Sequence, residues 1–135
     1  MASPGRRTTV DELLAEARSG LERMTPAETQ SAAEQEDALI IDIRPVEQRR
    51  EDGELAGAHV VARNVLEWRF DPRCPHRDLE LARTDRRVIL ICNEGYQSSL
   101  AAATLRSFGV DATDVIGGVQ EWIRSGLATS RHQPD

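Results

Sequence analysis

The chain has 135 residues, of which 39% are hydrophobic and 30% charged, and its formal net charge is −6. This length fits one domain with a core of its own, while the acidic balance argues against nucleic acid or an anionic membrane as a partner. The apolar runs are too short to span a bilayer, the N-terminus lacks a secretory signal pattern, and the chain has only two cysteines. These features favour a cytoplasmic protein with reduced thiols.

Two helices are predicted before the first strand. The first covers residues 10–20, where apolar residues share one helical face, and Thr9 and Glu12 form a capping box ahead of it. The second covers residues 26–35, with Thr25 at its N-cap. We interpret residues 1–20 as an N-terminal extension that carries one amphipathic helix.

Short apolar runs that alternate with helical patterns predict the rest of the fold. The predicted strands cover residues 38–43, 59–61, 87–92 and 112–116, and the predicted helices cover residues 46–50, 98–108 and 119–125. Continuous apolar strands are typical of a parallel sheet that is buried on both faces. The pattern therefore predicts an α/β protein with a three-layer α/β/α fold and a central, mostly parallel sheet of about five strands.

Cys92 ends the strongest predicted strand and is followed by a polar loop and a helix. Ligands bind outside the carboxyl ends of strands in such sheets, and the unpaired amides at a helix start attract an anion. Gly95 suits a loop whose amides turn inward. The position favours an activated thiolate nucleophile, while the alternative for a cysteine at the end of an apolar strand is an inert core residue.

Four segments resemble motifs of the rhodanese family. "CNEGYQSS" resembles its active-site loop, and "LIIDIR" resembles its first core strand with the Asp-x-Arg motif. "DGELAGAHVV" resembles the segment before the second strand, and "DVIGGVQEWIRSGL" resembles the closing segment with its Gly-Gly pair and tryptophan. The matches follow the family's order, so we expect a rhodanese domain over residues 21–128 and a flexible C-terminal tail over residues 129–135.

The resemblance implies a single-domain sulfurtransferase with Cys92 as its catalytic residue. Cys92 would take a sulfane sulfur from thiosulfate or a persulfide, hold it as a persulfide and pass it to a thiol or cyanide acceptor, or to a protein acceptor. The implied substrate-binding residues are Asn93, Glu94, Gly95, Tyr96, Gln97, Ser98 and, outside the loop, Arg69. Ser98 would also cap the helix. The resemblance implies no metal and no organic cofactor.

The loop departs from the family pattern in its charge. Many members that use thiosulfate have a basic residue there, whereas this loop has Glu94 and Gln97. A carboxylate near the sulfur disfavours a dianionic donor, so the sequence predicts that a persulfide of low charge is the better donor. Arg69, Arg73 or His76, from the stretch after the second strand, could supply the missing positive charge.

Other polar residues receive structural or incidental roles. Asp42 and Arg44 are predicted to support the structure at the end of the first core strand. Glu54 stands where the family often has histidine and is interpreted as a surface change. Cys74 is interpreted as an incidental loop cysteine, and the alternative is that it resolves a persulfide on Cys92 by forming a disulfide.

Two other function classes compete with sulfur transfer. A catalytically quiet rhodanese-like module would bind partners or sense redox state. The N-terminal helix could then serve as a docking element, and the alternative is that it simply covers a face of the sheet. A phosphatase of similar fold would need an arginine six positions after Cys92, where this chain has Ser98. The sequence therefore favours sulfur transfer over phosphate chemistry.

Overall fold

The computed structural model describes residues 7–83 and 85–133. Along the chain its elements are α1 (Val10–Ser19), α2 (Pro26–Gln35), β1 (Leu39–Asp42), α3 (Val46–Asp52), β2 (His59–Val60), α4 (Leu66–Phe70), β3 (Val88–Ile91), α5 (Gln97–Arg106), β4 (Ala112–Asp114) and α6 (Gly118–Arg124). A 3₁₀ turn, Arg63–Val65, precedes α4. Within the described ranges, none of the helices has the length and apolar character needed to cross a membrane.

The strands form one parallel sheet in the order β2-β1-β3-β4. Ile41 at its centre pairs with Leu90 of β3. Beside β4, Met24 makes a single parallel bridge with Val115. The predicted parallel α/β fold is confirmed, with four strands and this bridge in place of about five strands, because Thr25 already caps α2 and ends the pairing.

Strand side chains alternate between two buried layers, one on each face of the sheet. The layer under α4 and α5 includes Leu39, Ile41, Val88, Leu90, Leu66, Phe70 and Leu105. The layer under α2 and α6 includes Ile40, Ile89, Ile91, Ala32, Val119 and Trp122. Helices on both faces of a buried parallel sheet make the three-layer sandwich that the apolar runs predict.

Helix α1 lies outside both buried layers and packs against α5. Its capping box forms as predicted, with Thr9 Oγ1 accepting from the Glu12 amide at 3.0 Å. None of its residues is buried, and Val10 and Leu13 remain exposed. The amphipathic face of α1 therefore covers part of α5 without joining the core.

The chain after α6 returns to the end of α3. Ser130 pairs antiparallel with Glu54, although a flexible tail is predicted from residue 129. The Glu54 carboxylate accepts from Arg49 Nη1 at 2.8 Å and is hydrogen-bonded to His132 Nδ1. Partial burial raises the pKa of Glu54, but these hydrogen bonds from His132 and Arg49 outweigh it and hold the pKa below its usual value. Residues 134–135 of the predicted tail lie outside the described residues.

Candidate active site

Cys92 lies one residue beyond β3, at the carboxyl edge of the sheet, and is 7% exposed. Its Sγ accepts hydrogen bonds from the backbone amides of Gly95 at 3.2 Å and Ser98 at 3.4 Å. The Ser98 hydroxyl lies 3.3 Å from the same sulfur. The loop thus turns two amides onto the thiol, which is the environment that holds a negative charge on sulfur.

Two glycines let the loop adopt this shape. Gly95 has φ +86°, and a Cβ there would lie 2.8 Å from the Gly117 amide nitrogen. Gly118 has φ +60°, and a Cβ there would lie 2.4 Å from the Cys92 carbonyl oxygen. Both positions combine a left-handed backbone with close contact to other backbone atoms, so they require glycine.

The start of α6 holds the cysteine loop through two backbone hydrogen bonds. The Val119 amide donates to the Cys92 carbonyl at 2.9 Å, and the Gln120 amide donates to the Asn93 carbonyl at 3.1 Å. Gly118, at the first position of α6, makes this approach possible. The Gly-Gly motif in the sequence therefore has a direct structural role in holding the cysteine loop.

Ser98 does not cap α5, so this prediction was wrong. The helix begins at Gln97 after Tyr96, which makes no side-chain cap bond. Ser98 already lies in the first helical turn, where its side chain turns toward the protein interior. Its hydroxyl donates to Asp114 Oδ2 at 2.7 Å, while its backbone amide serves Cys92.

Asp114 is a fully buried carboxylate at the end of β4 that links the loop to the N-terminal segment. It accepts hydrogen bonds from the hydroxyls of Ser98 at 2.7 Å and Ser99 at 2.8 Å, and pairs with Arg23 at 2.9 Å. The sequence prediction missed this residue. An aspartate inside the apolar run "ATDVI" was the available signal, because a buried carboxylate requires a partner.

Two arginines from the N-terminal segment reach the cysteine loop. The Gly95 carbonyl accepts from Arg18 Nη2 at 2.8 Å and from Arg23 Nη2 at 3.0 Å. Arg18 also donates from Nε to Ser99 Oγ at 3.1 Å, and its guanidinium lies 5.7 Å from the centroid of the Tyr96 ring. These contacts join residues more than 70 positions apart, so no local pattern indicated them.

The opposite side of the loop meets the segment that follows β2. Arg63 Nε donates to Gln97 Oε1 at 3.1 Å, and Arg63 Nη1 pairs with Glu67 at 2.8 Å. Arg69, the arginine predicted to bind substrate, instead donates to the His76 carbonyl at 3.1 Å. The structure therefore places Arg63 rather than Arg69 against the loop, because Arg69 folds back onto the turn that follows α4.

The remaining loop side chains differ in their exposure. Glu94 and Tyr96 are exposed. Asn93 is half-buried, and its Oδ1 accepts from Gln120 Nε2 at 2.9 Å. The same amide group donates to Asp52 at 3.0 Å, which links the loop to the end of α3.

The other residues singled out in the sequence lie in separate surroundings. Arg44 binds the Asp42 carboxylate through Nε and Nη2, and Nη2 also donates to the Gly53 carbonyl at 2.8 Å. Both charged residues are buried, and these contacts fit the predicted supporting role. Cys74 Sγ accepts from the His76 amide within the turn after α4. Over residues 7–83 and 85–133, no cluster of three His, Cys, Asp or Glu side chains is placed to hold a metal ion.

Comparisons with known proteins agree with this fold. A model of the rhodanese-like domain matches residues 25–125, about three quarters of the chain. A protein of unknown function from Rhodopseudomonas palustris, described as a possible tyrosine phosphatase, superimposes with a TM-score of 0.83 at 26% identity over 96% of this chain and 99% of that one.

Two further solved structures share the fold at lower identity. The thiosulfate sulfurtransferase of Pseudomonas aeruginosa matches with a TM-score of 0.72 at 19% identity, over 92% of this chain and 23% of its own. A rhodanese-like domain protein from Staphylococcus aureus matches with a TM-score of 0.60 at 20% identity, over 76% of this chain and 91% of that one. No curated protein matches the chain. From the domain match and this shared architecture, the chain belongs to the rhodanese-like domain family.

Proposed function

We propose that this protein is a sulfurtransferase that carries a sulfane sulfur on Cys92 as a persulfide. One observation carries the proposal. The Cys92 sulfur receives two backbone amides from a loop that leads into α5. Such donors stabilise negative charge on a thiolate before the reaction and on a persulfide after it.

The proposed reaction has two displacement steps. The Cys92 thiolate attacks the outer sulfur of the donor, and a new S–S bond forms as the donor's own bond breaks. The electron pair leaves with sulfite when the donor is thiosulfate, or with a thiolate when the donor is a persulfide. A thiolate or cyanide acceptor then attacks the outer sulfur on Cys92 and releases the Cys92 thiolate. Both steps balance without an external oxidant, metal or organic cofactor.

The charges around the loop support a persulfide of low charge as the preferred donor. Glu94 is exposed within the loop, and residues 93–98 contain no lysine or arginine. A carboxylate beside the entering donor disfavours the thiosulfate dianion more than a singly charged persulfide. A reducing cytoplasm, in which thiol acceptors are abundant and cysteines stay reduced, is the location that suits this chemistry.

Mass spectrometry tests the proposal directly. The reduced protein is incubated with thiosulfate and, separately, with glutathione persulfide, and its intact mass and modified peptide are determined. We expect a gain of one sulfur atom on Cys92 that Cys92→Ser abolishes and Cys74→Ser retains. Absence of the gain with both donors, in folded protein whose Cys92 still reacts with iodoacetamide, would refute sulfur transfer and favour a binding or redox-sensing module.

Phosphatase activity is a less suitable assignment, although the Rhodopseudomonas palustris protein is described as a possible tyrosine phosphatase. Phosphate binding of that kind uses an arginine fork within the cysteine loop. Here Ser98 lies six positions after Cys92, and its hydroxyl donates to Asp114. We therefore expect hydrolysis of p-nitrophenyl phosphate no faster than that by Cys92→Ser.

A further inference from the structure

We propose that Arg18 of α1 is a positioning residue for Cys92, and that α1 is consequently part of the active site. Arg18 holds the Gly95 carbonyl away from the sulfur and supplies the positive charge that the loop itself lacks. The inference deepens the proposed function and rests on it for its catalytic meaning. The underlying claim, that Arg18 stabilises the Cys92 thiolate, can be tested without any sulfur donor.

The first step of the argument concerns the two peptide groups on either side of Gly95. Gly95 donates its amide to Cys92 Sγ at 3.2 Å, while its carbonyl accepts from Arg18 and Arg23 at 2.8 and 3.0 Å. Glycine has the conformational freedom to rotate the peptide that follows it. A rotated peptide would present the partial negative charge of the Gly95 carbonyl to the thiolate. Two guanidinium groups on that oxygen oppose the rotation, because charge-assisted hydrogen bonds are about twice as strong as neutral ones.

The second step concerns charge. Arg23 is paired with the Asp114 carboxylate through both Nε and Nη2, so its charge is largely compensated. Within the described residues, the hydrogen bonds of Arg18 go to neutral acceptors, the Gly95 carbonyl and the Ser99 hydroxyl. Arg18 therefore brings an uncompensated positive charge to a loop that contains no basic side chain. A cation beside the loop that holds Cys92 favours the thiolate over the thiol.

The third step concerns how Arg18 is held in place. Its guanidinium lies over the Tyr96 ring, 5.7 Å from the centroid, while Nε and Nη2 donate to two different acceptors. This uses the planar, forked shape of arginine, which lysine does not have. Tyr96 lies in the cysteine loop itself and is 58% exposed. The contact between Tyr96 and Arg18 thus joins a side chain of the loop to α1, in addition to the loop backbone.

The structure also shows that Arg18 can be changed without opening the core. Helix α1 has no buried residue and lies outside both core layers. Arg18→Ala leaves the residues Arg23 and Asp114 unchanged. Arg18→Lys keeps the positive charge but removes the forked guanidinium group. Arg50→Ala is the matched control, because it removes the same charge from an exposed position on α3.

The experiment follows alkylation of Cys92 by iodoacetamide as a function of pH, in the full chain with Cys74→Ser so that one thiol remains. For Arg18→Ala we expect alkylation at neutral pH to slow on the order of fivefold, a midpoint at higher pH and an unchanged plateau at high pH. Arg50→Ala should follow the parent profile. Arg18→Lys should restore the midpoint, while persulfide loading by glutathione persulfide stays slower than in the parent because the fork is lost.

Two results would overturn the inference. One is an Arg18→Ala profile identical to that of the parent, and the other is an equal shift in Arg18→Ala and Arg50→Ala, which would show a general effect of net charge. Failure of the proposed function looks different. If neither donor loads the parent protein while Arg18→Ala still shifts the alkylation profile, the sulfurtransferase assignment fails and the role of Arg18 in holding the thiolate stands.

Discussion

Gly118 offers the sharpest test of how the Cys92 loop is held. Gly118 has φ +60°, a left-handed backbone conformation that strains any residue with a side chain. An alanine Cβ there would lie 2.4 Å from the Cys92 carbonyl oxygen and 2.7 Å from the Asn93 carbonyl carbon and oxygen. The left-handed backbone costs an alanine about 1–2 kcal/mol. Contact with backbone atoms adds about 1–3 kcal/mol, since no flexible side chain can move away. We expect Gly118→Ala to lose about 2–5 kcal/mol of unfolding free energy.

Gly109→Ala separates the two contributions to this loss. Gly109 also has a positive φ, +88°, but a Cβ there meets no atom within 4 Å. It should therefore lose only the backbone contribution, about 1–2 kcal/mol. Denaturant unfolding of both variants measures the difference, for which we expect about 1–3 kcal/mol. Equal losses in the two variants would show that the loop tolerates the intrusion and would refute this account of the Gly-Gly motif.

The same pair of variants links stability to chemistry. A Cβ at position 118 would contact the backbone of Cys92 and Asn93, whereas Gly109 lies beyond the far end of α5. Under conditions where both variants are folded, Gly118→Ala should slow persulfide loading of Cys92 and Gly109→Ala should not. Loading of Gly118→Ala at the parent rate would mean that the amide donors survive displacement of the loop.

Three further predictions concern charge. Glu94→Ala should raise the rate of loading by thiosulfate more than by glutathione persulfide, because it removes a carboxylate beside a dianion; an unchanged thiosulfate rate would show that Glu94 does not act on the donor. Arg63→Ala should raise the KM for thiosulfate and Arg69→Ala should not, since Arg63 contacts the loop and Arg69 contacts a separate turn; the opposite result would restore Arg69 as the substrate-binding arginine. The lowered pKa of Glu54 means that its ionised form stabilises the fold above the ordinary glutamate pKa, and that this contribution disappears as the pH falls through the lowered pKa. Glu54→Gln should therefore lose stability relative to the parent near neutral pH, with the difference in unfolding free energy shrinking as the pH falls below the ordinary glutamate pKa.

The sequence predicts those elements whose signals are local. The β1 and β3 strands are continuous apolar runs, and Thr9 and Thr25 mark two helix starts by their own side-chain hydrogen bonds. Such features depend on neighbours a few positions away in the chain. The position of Cys92 after β3 follows from the same local reasoning.

The elements that the sequence did not predict are held by distant contacts. Helix α4 has five residues and no side-chain cap, and it is stabilised by burying Leu66 and Phe70 under the sheet. A helix this short has no stability of its own, so its pattern is not visible before the packing is known. Trp68, between those two residues, is left 54% exposed.

The network behind Cys92 shows the same limit in the site itself. Arg18 and Asp114 belong to a surface helix and an edge strand, and each alone resembles an ordinary polar residue. The roles of these residues depend on tertiary contacts. The packing of α1 against α5, for example, brings Arg18 to the Gly95 carbonyl. The sequence identified the lack of a basic residue in the loop, but it could not show that Arg18 of α1 contacts that loop.

That arrangement has a chemical consequence for the proposed sulfur transfer. A cation on the open side of the loop would stabilise the thiolate and also attract the sulfonate of thiosulfate, so both effects would rise together. Here Arg18 contacts the loop through the Gly95 carbonyl, while the exposed Glu94 stands in the loop itself. On the proposed mechanism, stabilisation of the Cys92 thiolate and attraction of the donor would therefore depend on different residues. The proposed site would then combine a stabilised nucleophile with a preference for sulfur donors of low charge.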